Sequence, residues 1–153
     1  METTLILLKP DTVQRALVGE VLTRFEAKGL TLVGMKLITA SEQLARTHYA
    51  EHEGKPFFDG LIRFITGSPL VVLALRGVDA VSVARTLIGA TNGRKADPGT
   101  IRGDLGMSGG YNLVHGSDAP ASAERELKLW FEDGELLDWT PQRQAFVYDP
   151  GDL

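Results

Sequence analysis

Residues 112–118, NLVHGSD, place a histidine where a short strand is expected to end. Leu113 and Val114 are apolar and indicate a buried strand, and His115 is followed directly by a Gly-Ser-Asp turn. A neutral imidazole has one nitrogen free to accept a proton or to attack phosphorus. His115 is therefore interpreted as a buried structural histidine, a general base or a nucleophile, and the segment alone leaves all three open.

A nucleophilic imidazole needs its second nitrogen held by a fixed acceptor, as a carboxylate does in hydrolase triads. The helix predicted after the turn offers two carboxylates, Glu124 and Glu126, and the pattern does not choose between them. Gly116 leaves the ring approachable because glycine has no side chain.

Basic residues that could bind phosphate lie at the ends of predicted elements. Lys9 ends the first strand, Arg85 lies on a helix just before a long loop, and Arg102 lies inside that loop, residues 91–112. Guanidinium groups bind phosphate oxygens in pairs, and lysine adds a point charge. No GxxxxGK[ST] motif and no GxGxxG after a strand occurs, so neither a P-loop nor a dinucleotide-binding fold is supported. A loop of this length is usually functional or wrongly assigned, and because it carries Arg94, Lys95 and Arg102 it is interpreted as functional.

A second histidine pattern, HYAEH from His48 to His52, matches the HxxEH motif of inverted zinc peptidases. Histidines four apart on a helix share a face and could bind one metal ion. A pattern with three fixed positions arises easily by chance, however, and a third ligand should follow downstream. An exposed helix with solvent-facing charges is the favoured interpretation.

The composition is that of a globular protein. The 153 residues suit one domain, and 43% are hydrophobic. A net charge of −4 does not indicate a nucleic-acid or anionic-membrane surface. The absence of cysteine excludes disulfides and thiol nucleophiles. Because the start METTLILLKPD lacks a secretory pattern and no apolar run is long enough to span a bilayer, a cytoplasmic protein is expected.

Hydrophobic periodicity predicts the elements that position these residues. Strands are predicted over residues 3–10, 30–40 and 69–77, with a short one over 113–115; helices are predicted over residues 17–29, 41–52, 55–66 and 79–90, followed by a last helix with Ala123, Leu127, Trp130 and Phe131 on one face. Ser41 and Asp79 are predicted N-caps and Gly29 a C-terminal stop. This order predicts a ferredoxin-like βαββαβ α+β sandwich: a four-stranded antiparallel sheet covered by helices, with a long loop before the catalytic strand. A doubly wound parallel sheet would need more strands.

Five sequence blocks together resemble the nucleoside diphosphate kinase family: NLVHGSD, PGTIRGD, KPDTVQR, HYAEHEGKPFF and GATN. They occur from the first strand to the LWF of the last helix, so the resemblance covers nearly the whole chain and implies a single domain, residues 1–153. It implies transfer of the γ-phosphate of a nucleoside triphosphate, mainly ATP, to nucleoside or deoxynucleoside diphosphates. The implied mechanism is ping-pong, through a phosphohistidine at His115.

The resemblance also implies roles for particular residues. It assigns the carboxylate that holds the ring to Glu126 and the side chain that supports it to Ser117. The nucleotide-binding residues that it implies are Lys9, which is also catalytic, Tyr49, Phe57, Arg85, Thr91, Arg102 and Asn112, with Phe57 stacking on the base. Mg²⁺ is expected to be held by the nucleotide phosphates and water rather than by protein ligands. A nucleotide-binding protein of the same fold without turnover is the alternative, and the complete residue set argues against it.

Three positions depart from the pattern common in the family. Thr12 replaces glycine or alanine, Gly93 replaces proline, and Tyr111 replaces arginine. Glycine in place of proline is expected to loosen the loop. The resemblance implies a homo-oligomer, with a hexamer as the first expectation and a tetramer as the alternative, and no membrane or specific nucleic-acid partner.

Overall fold

The structure, a computed structural model, describes residues 1–153. Its sheet contains β1 (Glu2–Leu8), β2 (Thr31–Ile38), β3 (Leu70–Gly77) and β4 (Val114–Gly116). The strand order is β2-β3-β1-β4, and every neighbouring pair is antiparallel. The predicted ferredoxin-like α+β sandwich is confirmed.

Seven α-helices accompany the sheet: α1 (Pro10–Gln14), α2 (Val18–Lys28), α3 (Glu42–His48), α4 (Phe58–Thr66), α5 (Ala80–Ile88), α6 (Ile101–Leu105) and α7 (Pro120–Trp130). Sequence periodicity does not predict α1 and α6, because five residues are too few to show a helical repeat. None of the seven is long and apolar enough to cross a membrane.

The alternation of side chains along β1 divides the core into two layers. Leu5 and Leu7 belong to the layer formed with α3, α4 and α7, whereas Ile6 and Leu8 belong to the layer formed with α2, α5 and α6. The predicted inner face of the last helix contributes to the first layer. Because β1 is covered on both faces, its carboxyl end and the adjoining end of β4 are held rigidly.

The predicted helix ends are confirmed at two positions and wrong at one. The Ser41 hydroxyl accepts a backbone N–H of α3 at 3.1 Å, and Gly29 ends α2 with φ 110°. Asp79 does not cap α5 with its side chain, because it takes a left-handed conformation with φ 49°. A Glu2 carboxylate oxygen accepts the Val81 N–H at 2.8 Å instead, so a residue of β1 caps this helix.

The residue before β4 has a strained backbone. Leu113 is buried with φ 71°, a left-handed conformation that non-glycine residues seldom adopt. Its N–H donates to Asp11 Oδ2 at 3.0 Å, and its carbonyl accepts from the Lys9 N–H at 2.8 Å and the Thr12 hydroxyl at 2.6 Å. The turn after β1 thus fixes the direction in which β4 presents His115. Thr12, one of the three departures, is part of this support.

The loop between α5 and β4 is closely packed at Gly93. The Gly93 N–H donates to the Ser108 carbonyl at 3.2 Å, and a Cβ at position 93 would overlap the Gly106 backbone. Glycine is therefore required by this approach of two backbone segments. Proline here would have to displace residue 106.

Candidate active site

A cleft of about 900 Å³ lies at the carboxyl end of β1, a volume typical of small-molecule sites. It is lined by all but one of the predicted site residues: Lys9, Tyr49, Phe57, Arg85, Thr91, Arg102, Asn112, His115 and Glu126. The exception, Ser117, is buried behind the cleft against Glu126. The fold thus brings together residues separated by more than a hundred positions.

A fixed carboxylate holds the imidazole of His115. Its Nε2 lies 3.1 Å from Glu126 Oε2, and the Ser117 hydroxyl donates to the same oxygen at 2.6 Å. The Leu5 N–H in turn donates to Ser117 Oγ at 3.3 Å. An ionised carboxylate only accepts hydrogen bonds, so Nε2 carries the proton. The neutral ring then has its free lone pair on Nδ1.

The position of Glu126 on α7 explains why it, rather than Glu124, reaches the ring. Glu126 is buried on the same side of the helix as Ala123 and Trp130. Glu124 lies on the exposed side, where its carboxylate accepts a hydrogen bond from Lys128 at 2.7 Å.

The environment of Glu126 favours its charged form. Burial alone would raise the pKa of this carboxyl group, but hydrogen bonds from His115 and Ser117 and the charge of His115 together outweigh burial and lower the pKa. The carboxylate is therefore ionised at neutral pH and can stabilise positive charge on the ring.

The side chain of Lys9 enters the cleft at the end of β1. Its Nζ donates to Asn112 Oδ1 at 2.7 Å, and the Asn112 amide donates to the Thr91 carbonyl at 2.9 Å. Burial, followed by repulsion from Arg102, lowers the pKa of Lys9 to about 8. In the free protein this ammonium group is poorly compensated, which favours binding of an anion.

Arg102, on α6, supports the backbone beside the cleft. Its guanidinium donates to the carbonyls of Val114 at 2.6 Å, Asn112 at 3.0 Å and Gly89 at 3.2 Å. Burial, with repulsion from Arg85, lowers the pKa of Arg102 to about 10. The helix that positions Arg102, α6, is one of the two that periodicity does not predict.

His48 is a part of the site that the sequence interpretation misses. The expected exposed helix is wrong here, because His48 is only 3% exposed. Its Nδ1 accepts the Trp130 indole N–H at 3.0 Å, and its ring meets that of His115 edge to face, with centroids 4.5 Å apart. The one available signal is the spacing of His48 and Ala45, three apart on the buried side of α3.

Together with His115 and Glu126, His48 forms a group whose potential metal-ligand atoms lie within 4.8 Å of one another. The hydrogen bond from Trp130 occupies the Nδ1 lone pair of His48, so the proton of the neutral ring is on Nε2. Nε2 therefore has no lone pair for a metal. Burial, followed by the charge of His115, lowers the pKa of His48 to about 3, so the ring is neutral.

The His48–His52 zinc motif does not form the helical pair that its spacing requires. The α-helix ends at His48, and His52 lies in the following 3₁₀ turn, Ala50–His52. The Nδ1 of His52 lies 3.0 Å from Lys55 Nζ. The two imidazoles thus belong to different local structures and have different partners.

The geometry of the cleft accords with the comparisons to known proteins. The family model described as "Nucleoside diphosphate kinase" matches residues 2–136. The chain belongs to the nucleoside diphosphate kinase family. A curated nucleoside diphosphate kinase from Synechococcus sp. (strain JA-3-3Ab) is 52% identical over 149 residues, which are 97% of this chain and 100% of the relative. One from Staphylococcus aureus (strain JH9) has the same identity and coverage.

Solved structures of nucleoside diphosphate kinases also share the fold. One from Halobacterium salinarum, in complex with CDP, has a TM-score of 0.95 and 51% identity, and the match covers 97% of this chain and 99% of that one. A family protein from Babesia bovis has a TM-score of 0.93 and 40% identity, with coverage of 97% and 100%.

In this chain a row of rings extends from His115 along the cleft. Tyr49 is buried beside His115, its hydroxyl has no hydrogen-bond partner, and burial raises its pKa. His52 stacks on Tyr49 and contacts Phe57, with centroids 6.2 and 5.3 Å apart. Phe57 lines the cleft and is 52% exposed, with Lys55 Nζ 5.9 Å from the centroid of its ring.

Proposed function

We propose that Nδ1 of His115 carries the phosphoryl group in the nucleoside diphosphate kinase reaction of this chain. The reaction transfers the γ-phosphate of a nucleoside triphosphate, mainly ATP, to a nucleoside or deoxynucleoside diphosphate. The observation that carries the proposal is the hydrogen bond between Nε2 and Glu126, which leaves the Nδ1 lone pair free in a cleft that contains cations.

The transfer takes two displacements at one site. The Nδ1 lone pair of His115 attacks the γ-phosphorus, the bond to the bridging β–γ oxygen breaks, and the diphosphate leaves with that oxygen. A terminal oxygen of the second diphosphate then attacks the phosphohistidine, and the N–P bond breaks to restore the lone pair. Throughout, Nε2 keeps its proton, and the ionised Glu126 stabilises the positive charge of the phosphorylated ring.

The charges around His115 match a transferring phosphoryl group. Lys9, Arg85 and Arg102 line the cleft and can neutralise charge on the phosphate oxygens. Phe57 offers a ring face to the base and no edge that would select one base, so broad base acceptance is expected. The CDP bound to the relative from Halobacterium salinarum supports a pyrimidine diphosphate as one acceptor.

We propose Mg²⁺ as the cofactor, bound to the nucleotide. The three cleft carboxylates have other partners: Glu126 is held by His115 and Ser117, Glu51 lies 3.6 Å from His52 Nε2, and hydrogen bonding from Ser122 lowers the pKa of Asp118. The donor set therefore fits an ion coordinated by phosphate oxygens and water, with no direct protein ligand. When bound, the ion neutralises charge on the polyphosphate.

Labelling tests the proposal directly. Incubation with γ-labelled ATP and Mg²⁺, followed by removal of nucleotide, should leave label on the protein that is acid-labile and alkali-stable. Addition of unlabelled CDP should then move the label to CTP. The absence of label on the wild-type protein, or label that CDP does not remove, would contradict a phosphohistidine intermediate.

Nucleotide binding should take up a proton at alkaline pH. The free protein loses the Lys9 proton as pH rises through about 8, whereas a bound polyphosphate favours the charged form. Affinity for ADP should therefore fall above pH 8, by at most about tenfold per pH unit. Calorimetry at pH 8.5 in two buffers of different ionisation enthalpy should detect uptake of about half a proton or more. The Lys9→Met variant should show no such uptake, and zero uptake by the wild type would exclude Lys9 as the titrating group.

We further propose that residues 1–153 form one domain and that the protein is a homo-oligomer, with a hexamer first and a tetramer as the alternative. Supporting this, β2 is an edge strand on which Met35 and Leu37 are 49% and 63% exposed, and apolar groups on a sheet edge favour contact with a second copy. A cytoplasmic location stays a prediction of the sequence.

A further inference from the structure

The outer part of the cleft has one wall formed by α4 and the residue before it. Phe57, Gly60, Leu61 and Phe64 all line the cleft. Their spacing of three, four and seven residues places them on one helical face. The stripe from Phe57 to Phe64 is about 10 Å long, since a helix rises about 1.5 Å per residue. It offers an apolar surface of the length of a nucleobase with its sugar.

A second wall consists of backbone. Gly109 and Gly110 also line the cleft, and around Gly110 a side chain would meet no atom within 4 Å. Directly after them, Tyr111 stacks on Phe64, with ring centroids 4.5 Å apart and planes inclined by 23°. This contact joins the glycine segment, Gly109 and Gly110, to α4. The two walls are therefore connected where Tyr111 meets Phe64.

The glycine segment needs such a contact because it has no side chains of its own to fix its position. The Ser108 hydroxyl accepts the N–H groups of Gly110 and Tyr111, at 3.2 and 3.3 Å, which shapes the turn locally but does not reach α4. After Tyr111 comes Asn112, whose amide is bonded to Lys9 and to the Thr91 carbonyl. The segment is therefore held at Asn112 by Lys9 and Thr91 and at Ser108 by the Gly93 N–H, and the aromatic stack of Tyr111 is what joins it to α4.

We propose that Tyr111 is a positioning residue whose stack on Phe64 sets the width of the slot in which the nucleobase lies on Phe57. The proposal rests on the kinase activity and on the assignment of Phe57 as the base platform. Tyr111 holds the glycine wall rather than the reacting groups. It therefore acts on the binding of the nucleoside part of the substrate and leaves phosphoryl transfer within the bound complex unchanged. The ring is the part that acts, because the contact with Phe64 is a stack of the two rings.

The test compares Tyr111→Ala with Tyr111→Phe, which keeps the ring. Tyr111→Ala should raise KM for nucleoside diphosphates about three- to tenfold, the factor that a stacked aromatic pair contributes, with kcat unchanged. Tyr111→Phe should behave as the wild type. Phe64→Ala should raise KM similarly, and adding it to Tyr111→Ala should cause little further loss, because both remove the same contact. Phe146→Ala, which removes an aromatic ring that is 93% exposed, is the control for a general surface effect.

Inorganic tripolyphosphate, which has no base, separates the base slot from the phosphate site. Its inhibition constant should be the same for Tyr111→Ala and the wild type. An equal loss for tripolyphosphate and for nucleoside diphosphates, an unchanged KM in Tyr111→Ala, or a Tyr111→Phe variant as weak as Tyr111→Ala would each overturn the proposal. Failure of the phosphohistidine mechanism would show separately, since every one of these variants should still take label from γ-labelled ATP if that mechanism holds.

Discussion

His115→Ala should reduce kcat by about four orders of magnitude or more, which is the reduction expected when an enzyme loses its nucleophile. The variant removes the atom proposed to accept the phosphoryl group, Nδ1 of the ring that Glu126 contacts through Nε2. The groups proposed to bind phosphate lie on other elements: Lys9 at the end of β1, Arg85 on α5 and Arg102 on α6. Because these elements do not depend on the imidazole, nucleotide binding should persist.

Two measurements on the purified variant check this expectation. Steady-state assays with ATP and a nucleoside diphosphate give the loss of turnover, and calorimetry with ADP confirms that the cleft still binds. No label from γ-labelled ATP should remain on His115→Ala. Substantial label on the variant would show that another group is phosphorylated and would contradict the assignment of His115.

Glu126→Gln should reduce kcat by about a hundredfold, within the range found when a group that orients a catalytic histidine is altered. Glutamine has the same shape, so the Ser117 hydroxyl can still donate to its amide oxygen, but the negative charge beside the ring is lost. The phosphorylated imidazole is then less stabilised. An amide can also present its NH₂ group to Nε2, which favours the tautomer with the proton on Nδ1. Affinity for nucleoside diphosphates should change little.

Glu124→Gln provides a matched control on the same helix. Glu124 lies two residues earlier, is exposed, and pairs with Lys128 instead of the ring. Its turnover should stay within about twofold of the wild type, as expected of a surface substitution. Rapid-quench measurement of phosphoenzyme formation would place the loss of Glu126→Gln in the chemical step. If Glu126→Gln and Glu124→Gln turn over equally, another group orients His115.

Strong periodicity made most of the fold predictable. The longer helices are marked by helical apolar patterns, β2 by alternation, β1 and β3 by compact apolar runs and β4 by the pair Leu113-Val114, and the structure contains all of them. Two kinds of feature could not be predicted: helices too short to show a periodic apolar pattern, and contacts between residues far apart along the chain. The five-residue helix α6 shows no repeat, although Thr100 caps it by accepting the Gly103 N–H at 2.9 Å. The carboxylate of Glu2 replaces the expected cap of Asp79 through a contact over 79 positions.

In the site, too, some features could be predicted from the sequence and others depend on contacts between distant residues. The sequence pattern left the choice between Glu124 and Glu126 open and the resemblance pointed to Glu126, which the structure buries on the same face of α7 as Ala123 and Trp130. The burial of His48 was not predicted, because it depends on the packing of α3 against Trp130 from the far end of the chain. The resemblance supplied the ligand set, and the fold gathers that set in one cleft; the roles of the individual residues stay predictions until the variants are measured.

The left-handed Leu113 has a consequence for the order in which the molecule assembles. Its backbone is stable only when the turn at residues 9–12 has docked on it, more than a hundred residues away along the chain. Closing so long a loop is entropically costly, so such contacts form late in folding. A folding intermediate that already has the β1–β3 pair should therefore lack a usable phosphate acceptor. A nascent or damaged chain would then be inactive until β4 has paired with β1.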